Sequence, residues 1–186
     1  MKNENSGMKL RLIVMNFLQF AVWGAYLTSM GTYLFNIGLG AKIGLFYAMQ
    51  GIVSLFMPAV MGIIADRWVP AQKLYGFCHF MAAVFMVAAG WYGCMDGGAV
   101  DFGTLFTFYS LSVAFYMPTL ALTNSVAYTA LDKVKLDPVI AFPPIRIFGT
   151  IGFICSMLLT DILGFQNNYM QFFSCACFGV ILAVYA

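Results

Sequence analysis

Six long apolar segments divide the chain, near residues 11–35, 42–65, 74–95, 103–126, 139–163 and 169–186. Each approaches or exceeds the run of about 20 residues that carries a helix across a bilayer, so six transmembrane helices are expected. Polar and apolar residues do not alternate within the segments, which argues against the period-two strands of an outer-membrane barrel. The breaks carry turn chemistry: Asn36-Ile37-Gly38-Leu39-Gly40, Asp66-Arg67-Trp68-Val69-Pro70, Asp96-Gly97-Gly98, Leu131 to Pro138, and Gly164-Phe165-Gln166-Asn167-Asn168. None is long enough to separate two folded bodies, so residues 1–186 are expected to form one all-α polytopic bundle. The first segment is too long for the core of a signal peptide and lacks a small-x-small cleavage site, so it reads as a retained first span. The sixth is still apolar at Ala186, which reads as a sequence that continues.

Composition agrees. Hydrophobic residues make up 62% of the chain and charged residues 9%, with a mean hydropathy of +0.88, whereas a soluble domain carries about 25% charged residues. The net charge of +2 therefore points to no nucleic-acid partner; the surrounding partner is the lipid bilayer. Lysine and arginine gather on the cytoplasmic side of membrane proteins. In the six-span reading Lys2, Lys9, Arg11, Arg67, Lys73, Lys133 and Lys135 share the side of the N-terminus, and only Lys42 falls in a loop on the other. Both termini are thus expected at the cytoplasmic face of the plasma (inner) membrane, with Asp96 and Asp101 outside.

Chemistry concentrates on one cation. Arg146 lies inside the apolar run Phe142-Pro143-Pro144-Ile145-Arg146-Ile147-Phe148-Gly149-Thr150-Ile151-Gly152-Phe153, and an intramembrane ionisable residue is costly enough to be a functional hypothesis in itself. The alternative is an arginine that snorkels to the headgroups. At about 1.5 Å per residue its side chain starts roughly 10 to 12 Å into the apolar run, which favours a cavity. Arg146, Thr150 and Phe153 recur at i, i+4 and i+7 and share a helix face. A fork of donors, a hydroxyl and an aromatic ring suit a small flat ligand with several acceptors. Pro143 and Pro144 are expected to bend or break this helix just below Arg146, and Gly149 and Gly152 to leave its opposite side open to a neighbour.

Gln19, Trp23 and Tyr26 form a second stripe, either lining a cavity or stitching helices together. Tyr116, Thr119, Thr123 and Asn124 around Pro118 make a weaker one. His79, beside Cys78, reads as a hydrogen-bonded structural histidine rather than a proton relay, and Asp161 as an interfacial acid. Cys175 and Cys177 point to opposite sides of a helix and cannot jointly hold a metal. No phosphate-binding loop, metal cluster or nucleophile with its base is present, so neither an enzyme nor a cofactor is expected.

Gly62-x-x-x-Asp66-Arg67, with Lys73 beyond it, resembles the signature loop of the major facilitator superfamily, although Trp68-Val69-Pro70-Ala71-Gln72 replaces its usual continuation. Phe17-Leu18-Gln19-Phe20-x-x-Trp23-Gly24, Phe56-Met57-Pro58-Ala59, Tyr116-Met117-Pro118-Thr119-Leu120 and the Arg146 segment together resemble the bacterial nucleoside permeases of the nucleoside:proton symporter family. The resemblance covers nearly the whole chain. It implies the N-terminal six-helix half of a twelve-helix carrier that moves a nucleoside with a proton by alternating access, the C-terminal six-helix half being absent. It also implies that Arg146 donates hydrogen bonds to the nucleoside beside Thr150 while Phe153 packs on it. Asp66 and Arg67 would join the cytoplasmic helix ends in one access state. Gln19 and Trp23 complete the candidate substrate site. Two other readings share the composition: a major facilitator carrier for sugars or other polar solutes, and a six-helix fragment that transports nothing.

Overall fold

The computed structural model describes residues 2–95 and 100–186, with side chains from residue 6 onward. Among them are eight α-helices: α1 (Lys2–Gly24), α2 (Met30–Asn36), α3 (Ile43–Arg67), α4 (Ala71–Met95), α5 (Phe102–Tyr116), α6 (Thr119–Lys133), α7 (Pro138–Ile162) and α8 (Met170–Tyr185). Single 3₁₀ turns, Gly40–Lys42 and Phe165–Asn167, precede α3 and α8. Four helical stretches are long and apolar enough to cross a membrane: Gly40–Arg67, Ala71–Met95, Phe102–Lys133 and Pro138–Ile162. That is four where six were expected. α1 opens on the polar stretch through Arg11 and stops at Gly24, and α8 has only 16 residues.

Two expected spans are interrupted. The first breaks at Ala25–Ser29, and neighbouring side chains take up the carbonyls released there. Tyr47 OH donates to Leu27 O at 2.8 Å, and Thr160 Oγ1 shares its one proton between Ala25 O at 3.0 Å and Ser156 O of its own helix at 2.9 Å, which engages buried backbone groups as a membrane interior requires. The fourth is divided at Met117–Pro118 into α5 and α6. By contrast, α7 runs unbroken through Pro143 and Pro144, against the expectation that a break was possible there. The two donors lost to proline would have reached Val139 and Ile140, which lie in the exposed first turn.

The expected turns hold at Asn36–Gly40 and Gly164–Asn168, where Gly38 and Gly164 take positive φ values of 81° and 70°. The break expected at Asp96-Gly97-Gly98 lies outside the described residues. Helix α1 runs along α7 and also meets α6 and α8; α4 packs on α5, α6 and α8; α3 lies against α5.

Two apolar clusters fill the bundle. One, toward the end carrying Arg11, Arg67 and Lys133, holds Leu12, Met15, Leu74, Leu131, Ile145 and Leu182. The other holds Met30, Tyr33, Phe46, Met86, Leu105 and Phe172. A layer of buried polar side chains lies between them, and the candidate site is built on that layer.

Candidate functional site

The interface of α1 with α7 is set by glycines. A Cβ on Gly152 would collide with the carbonyl of Phe17, and one on Gly24 with the carbonyl of Phe153 and the hydroxyl of Ser156. The two backbones therefore approach as closely as small residues permit. Gly149 belongs to the same seam, where a Cβ would come within 2.6 Å of Phe20 Cδ2 and 2.8 Å of an Arg146 guanidinium nitrogen. It borders Arg146 rather than lying opposite it, because the arginine side chain folds along its own helix toward α1.

Arg146 is half-buried. Its guanidinium carbon stands 3.9 Å from the centre of the Phe20 ring, well inside the range of a cation–π contact. Among the described residues the π face of Phe20, and not a carboxylate, is its charge-stabilising partner. Trp23 continues the aromatic wall, with ring centres 6.4 Å from Phe20, 6.3 Å from Tyr116 and 6.3 Å from Phe153, the last pair edge-to-face at 86°. The indole N–H donates to Gln50 Oε1 at 2.9 Å, and Gln50 Nε2 donates to Tyr109 OH at 2.6 Å, so Trp23 is locked to α3 and α5. Phe153 is half-buried and Thr150 exposed. The geometry thus brings Arg146, Phe153 and Trp23 to one wall, with Thr150 on its open side.

Gln19 has a different place. It is fully buried, and every polar atom of its side chain is engaged within the bundle. Its amide N–H donates to Thr119 Oγ1 at 2.8 Å, while Oε1 accepts from Tyr75 OH at 2.7 Å and pairs with His79 Nε2 at 2.8 Å. Thr123 Oγ1 is also 3.1 Å from Oε1, but its single proton is better placed on Thr119 O at 2.7 Å. The backbone carbonyl of Gln19 accepts from Tyr116 OH at 2.7 Å.

For Gln19 itself these are the bonds of a stitching amide, which ties α1 to α4 and α6. His79 is correspondingly a buried, hydrogen-bonded histidine. With an amide oxygen as its partner, Nε2 must carry the proton, and Nδ1 is left without a partner. Asp66 and Arg67 are exposed in the last turn of α3, Asp161 is exposed near the end of α7, and Asn124 is exposed on α6. Among the described residues no group of three or more His, Cys, Asp or Glu could hold a metal.

A cavity of about 640 Å³ lies elsewhere. It opens at the basic end between α1, α4, α6 and α8, lined by Arg11, Leu12, Gln72, Tyr75, Lys133 and Tyr185 among others. Arg146 is not in it, because the Arg146 wall is an open face rather than an enclosed hole. Tyr75 lines the cavity and also bonds Gln19, so it lies between the two regions.

Phe20, Gln50 and Tyr75 were not singled out from the sequence. An amide such as Gln50 alone in a long apolar helix is a usable signal, since a buried amide must find partners. Phe20 carries no such mark, being one phenylalanine among 19.

Comparison with known proteins gives one answer. The family model described as nucleoside H+ symporter matches residues 6–186. Xanthosine permease of Escherichia coli (strain K12) is 38% identical over 179 residues, covering 95% of this chain and 41% of that protein. Nucleoside permease NupG of the same organism is 38% identical over 181 residues, covering 96% and 41%. A crystal structure of nucleoside transporter NupG superposes with a TM-score of 0.87 at 38% identity, covering 96% of this chain and 43% of that one. The chain thus spans about two fifths of the length of the relatives it matches. With the match running over nearly all of its residues, the chain belongs to the nucleoside H+ symporter family.

Proposed function

We propose that residues 1–186 are the N-terminal six-span bundle of a nucleoside:proton symporter of major facilitator architecture, lying in the inner membrane with both ends of the bundle cytoplasmic. The relatives named as permeases for xanthosine and nucleosides support the substrate class. Four membrane-length helices support the multi-pass placement, with α1–α2 and α8 supplying the first and sixth spans. The gathering of Lys9, Arg11, Arg67, Lys73, Lys133 and Lys135 at one end supports the orientation.

The observation that carries the reading is Arg146. It is held on an aromatic face beside Phe153 and Trp23, with Thr150 on the open side, and among the described residues no carboxylate pairs with its N–H edge. A nucleoside offers hydroxyl and carbonyl acceptors to such a fork and a flat base to such rings. Arg146 donates to the nucleoside, Phe153 and Trp23 pack on it, and Thr150 adds a hydroxyl from the open side. Gln19 holds the wall in place from behind. The C-terminal half closes the site and carries the proton-coupling acid. Asp66 and Arg67 join helix ends at the cytoplasmic side in one access state.

The test is proton-driven uptake of labelled uridine or adenosine in cells lacking their own nucleoside carriers, comparing the full-length carrier with its Arg146→Ala variant. Uptake by the parent and its loss in the variant, with membrane insertion unchanged, is expected. Equal uptake by both would remove Arg146 from the mechanism, and competition by sugars instead of nucleosides would reassign the substrate.

A further inference from the structure

The wall of the site raises a problem of its own: a single guanidinium must point in one direction without being neutralised. Carboxylates usually perform this orientation, but they engage the N–H edge in a bidentate fork and so occupy the donors a ligand would need. Here the partner is the face of an aromatic ring. The guanidinium carbon lies over the Phe20 ring, 3.9 Å from its centre, and a π face attracts the cation without engaging its five N–H donors as a carboxylate does.

From this geometry we infer that Phe20 is a positioning residue for Arg146, holding the guanidinium by its π face so that the donor edge is presented to the nucleoside. The inference rests on the transport reading above and adds to it a residue that touches the arginine rather than the substrate.

Three further observations carry it. Gly149 leaves room for the Phe20 ring and the guanidinium, since a Cβ there would press on both at 2.6 and 2.8 Å. The backbone that bears Phe20 cannot drift, because Phe17 and Gly24 on either side of it are seated against Gly152 and Phe153 of α7. The ring itself is backed by Trp23, whose indole is pinned to Gln50. Sequence position, close helix packing and side-chain contact thus agree on one orientation for Arg146.

The experiment uses the full-length carrier with phenylalanine at position 20 replaced by mono-, di- and trifluorophenylalanine, which drain the π face at nearly constant volume, alongside Phe20→Tyr and Phe20→Leu. Uridine affinity, the KM and maximal rate of uptake, and unfolding temperature are read for each. Affinity is expected to fall stepwise with fluorination and to be about 3- to 30-fold weaker in Phe20→Leu. Phe20→Tyr should be close to the parent, and the fluorinated proteins should unfold at the parental temperature. KM should rise more than the maximal rate falls. A parent that binds uridine together with a flat fluorination series would overturn the Phe20 assignment and leave the transport reading standing. A parent that binds neither uridine nor adenosine would overturn the transport reading, and this inference with it.

Discussion

Each polar side chain within the spans has its role set by what it can bond to. Gln19 fills its amide with Thr119, Tyr75 and His79, so Gln19→Leu strands two buried donors at about 1–3 kcal/mol each. Thermal unfolding of the purified full-length carrier should fall by several degrees, with Tyr75→Phe recovering part of the loss when combined with it. Arg146→Lys keeps the charge but not the planar fork or its stacking on Phe20, and uptake should drop by at least tenfold. At the rim, Asp101 caps α5 by accepting from the backbone N–H of Thr104 at 2.8 Å and from its hydroxyl at 3.0 Å. These bonds hold its carboxyl below the ordinary range. The folded value being lower than the unfolded one, this stabilisation is present above the unfolded value and is lost as pH falls through the folded one. The gap in unfolding temperature between the parent and Asp101→Ala should therefore close on acidification. Arg146, Thr150 and Phe153 could be read from spacing alone, since a helix repeats by fixed geometry. Whether the Gln19 stripe lines a cavity or stitches helices depends on Tyr75 and His79, more than 50 residues away, and spacing within α1 contains no trace of them.

Helix breaks divide into those the sequence marks and those it does not. Pro118 marks the division of α5 from α6, and Gly38 and Gly164 mark turns that need a left-handed backbone. Nothing in Ala25-Tyr26-Leu27-Thr28-Ser29 announces a break. The carbonyls it frees are met from other helices, by Tyr47 on α3 and by Thr160 on α7, whose hydroxyl is shared with Ser156 O, a tertiary arrangement that local preference does not show. Thr160→Val removes one of these donors and should lower stability by about 1 kcal/mol, measured by denaturation of the carrier in detergent. In α7 the reverse holds: two prolines look decisive in the sequence, yet their cost falls on carbonyls of an exposed first turn, and the helix continues. The α1–α7 seam is the least tolerant element. Gly152→Ala drives a methyl group into the Phe17 carbonyl and should cost about 1–3 kcal/mol, whereas Gly44→Ala, with nothing near it, should cost far less.

For the assembled bundle, the alternation of loops rich and poor in lysine and arginine gives a test of orientation. After Cys94, Cys155 and Cys177, all exposed, are replaced by serine, Lys42→Cys should react with a membrane-impermeant maleimide in intact cells. Lys133→Cys should react only after lysis; the opposite pattern would invert the proposed topology. All-helical membrane architecture was legible from hydropathy, because lipid demands long apolar helices. The count of membrane-length helices was not, since α1 stops at Gly24 and α2 begins only at Met30 across an unwound turn, and α8 has 16 residues. One consequence follows from the glycine seam. With backbone pressed on backbone at Gly24 and Gly152, α1 and α7 have no soft layer between them there and should move as a single lever. A pull on Arg146 should then pass through α1 to Gln19 and on to Tyr75 on the wall of the other cavity, so in the full-length carrier a fluorophore placed there should report nucleoside arrival at the proposed site, which it never touches.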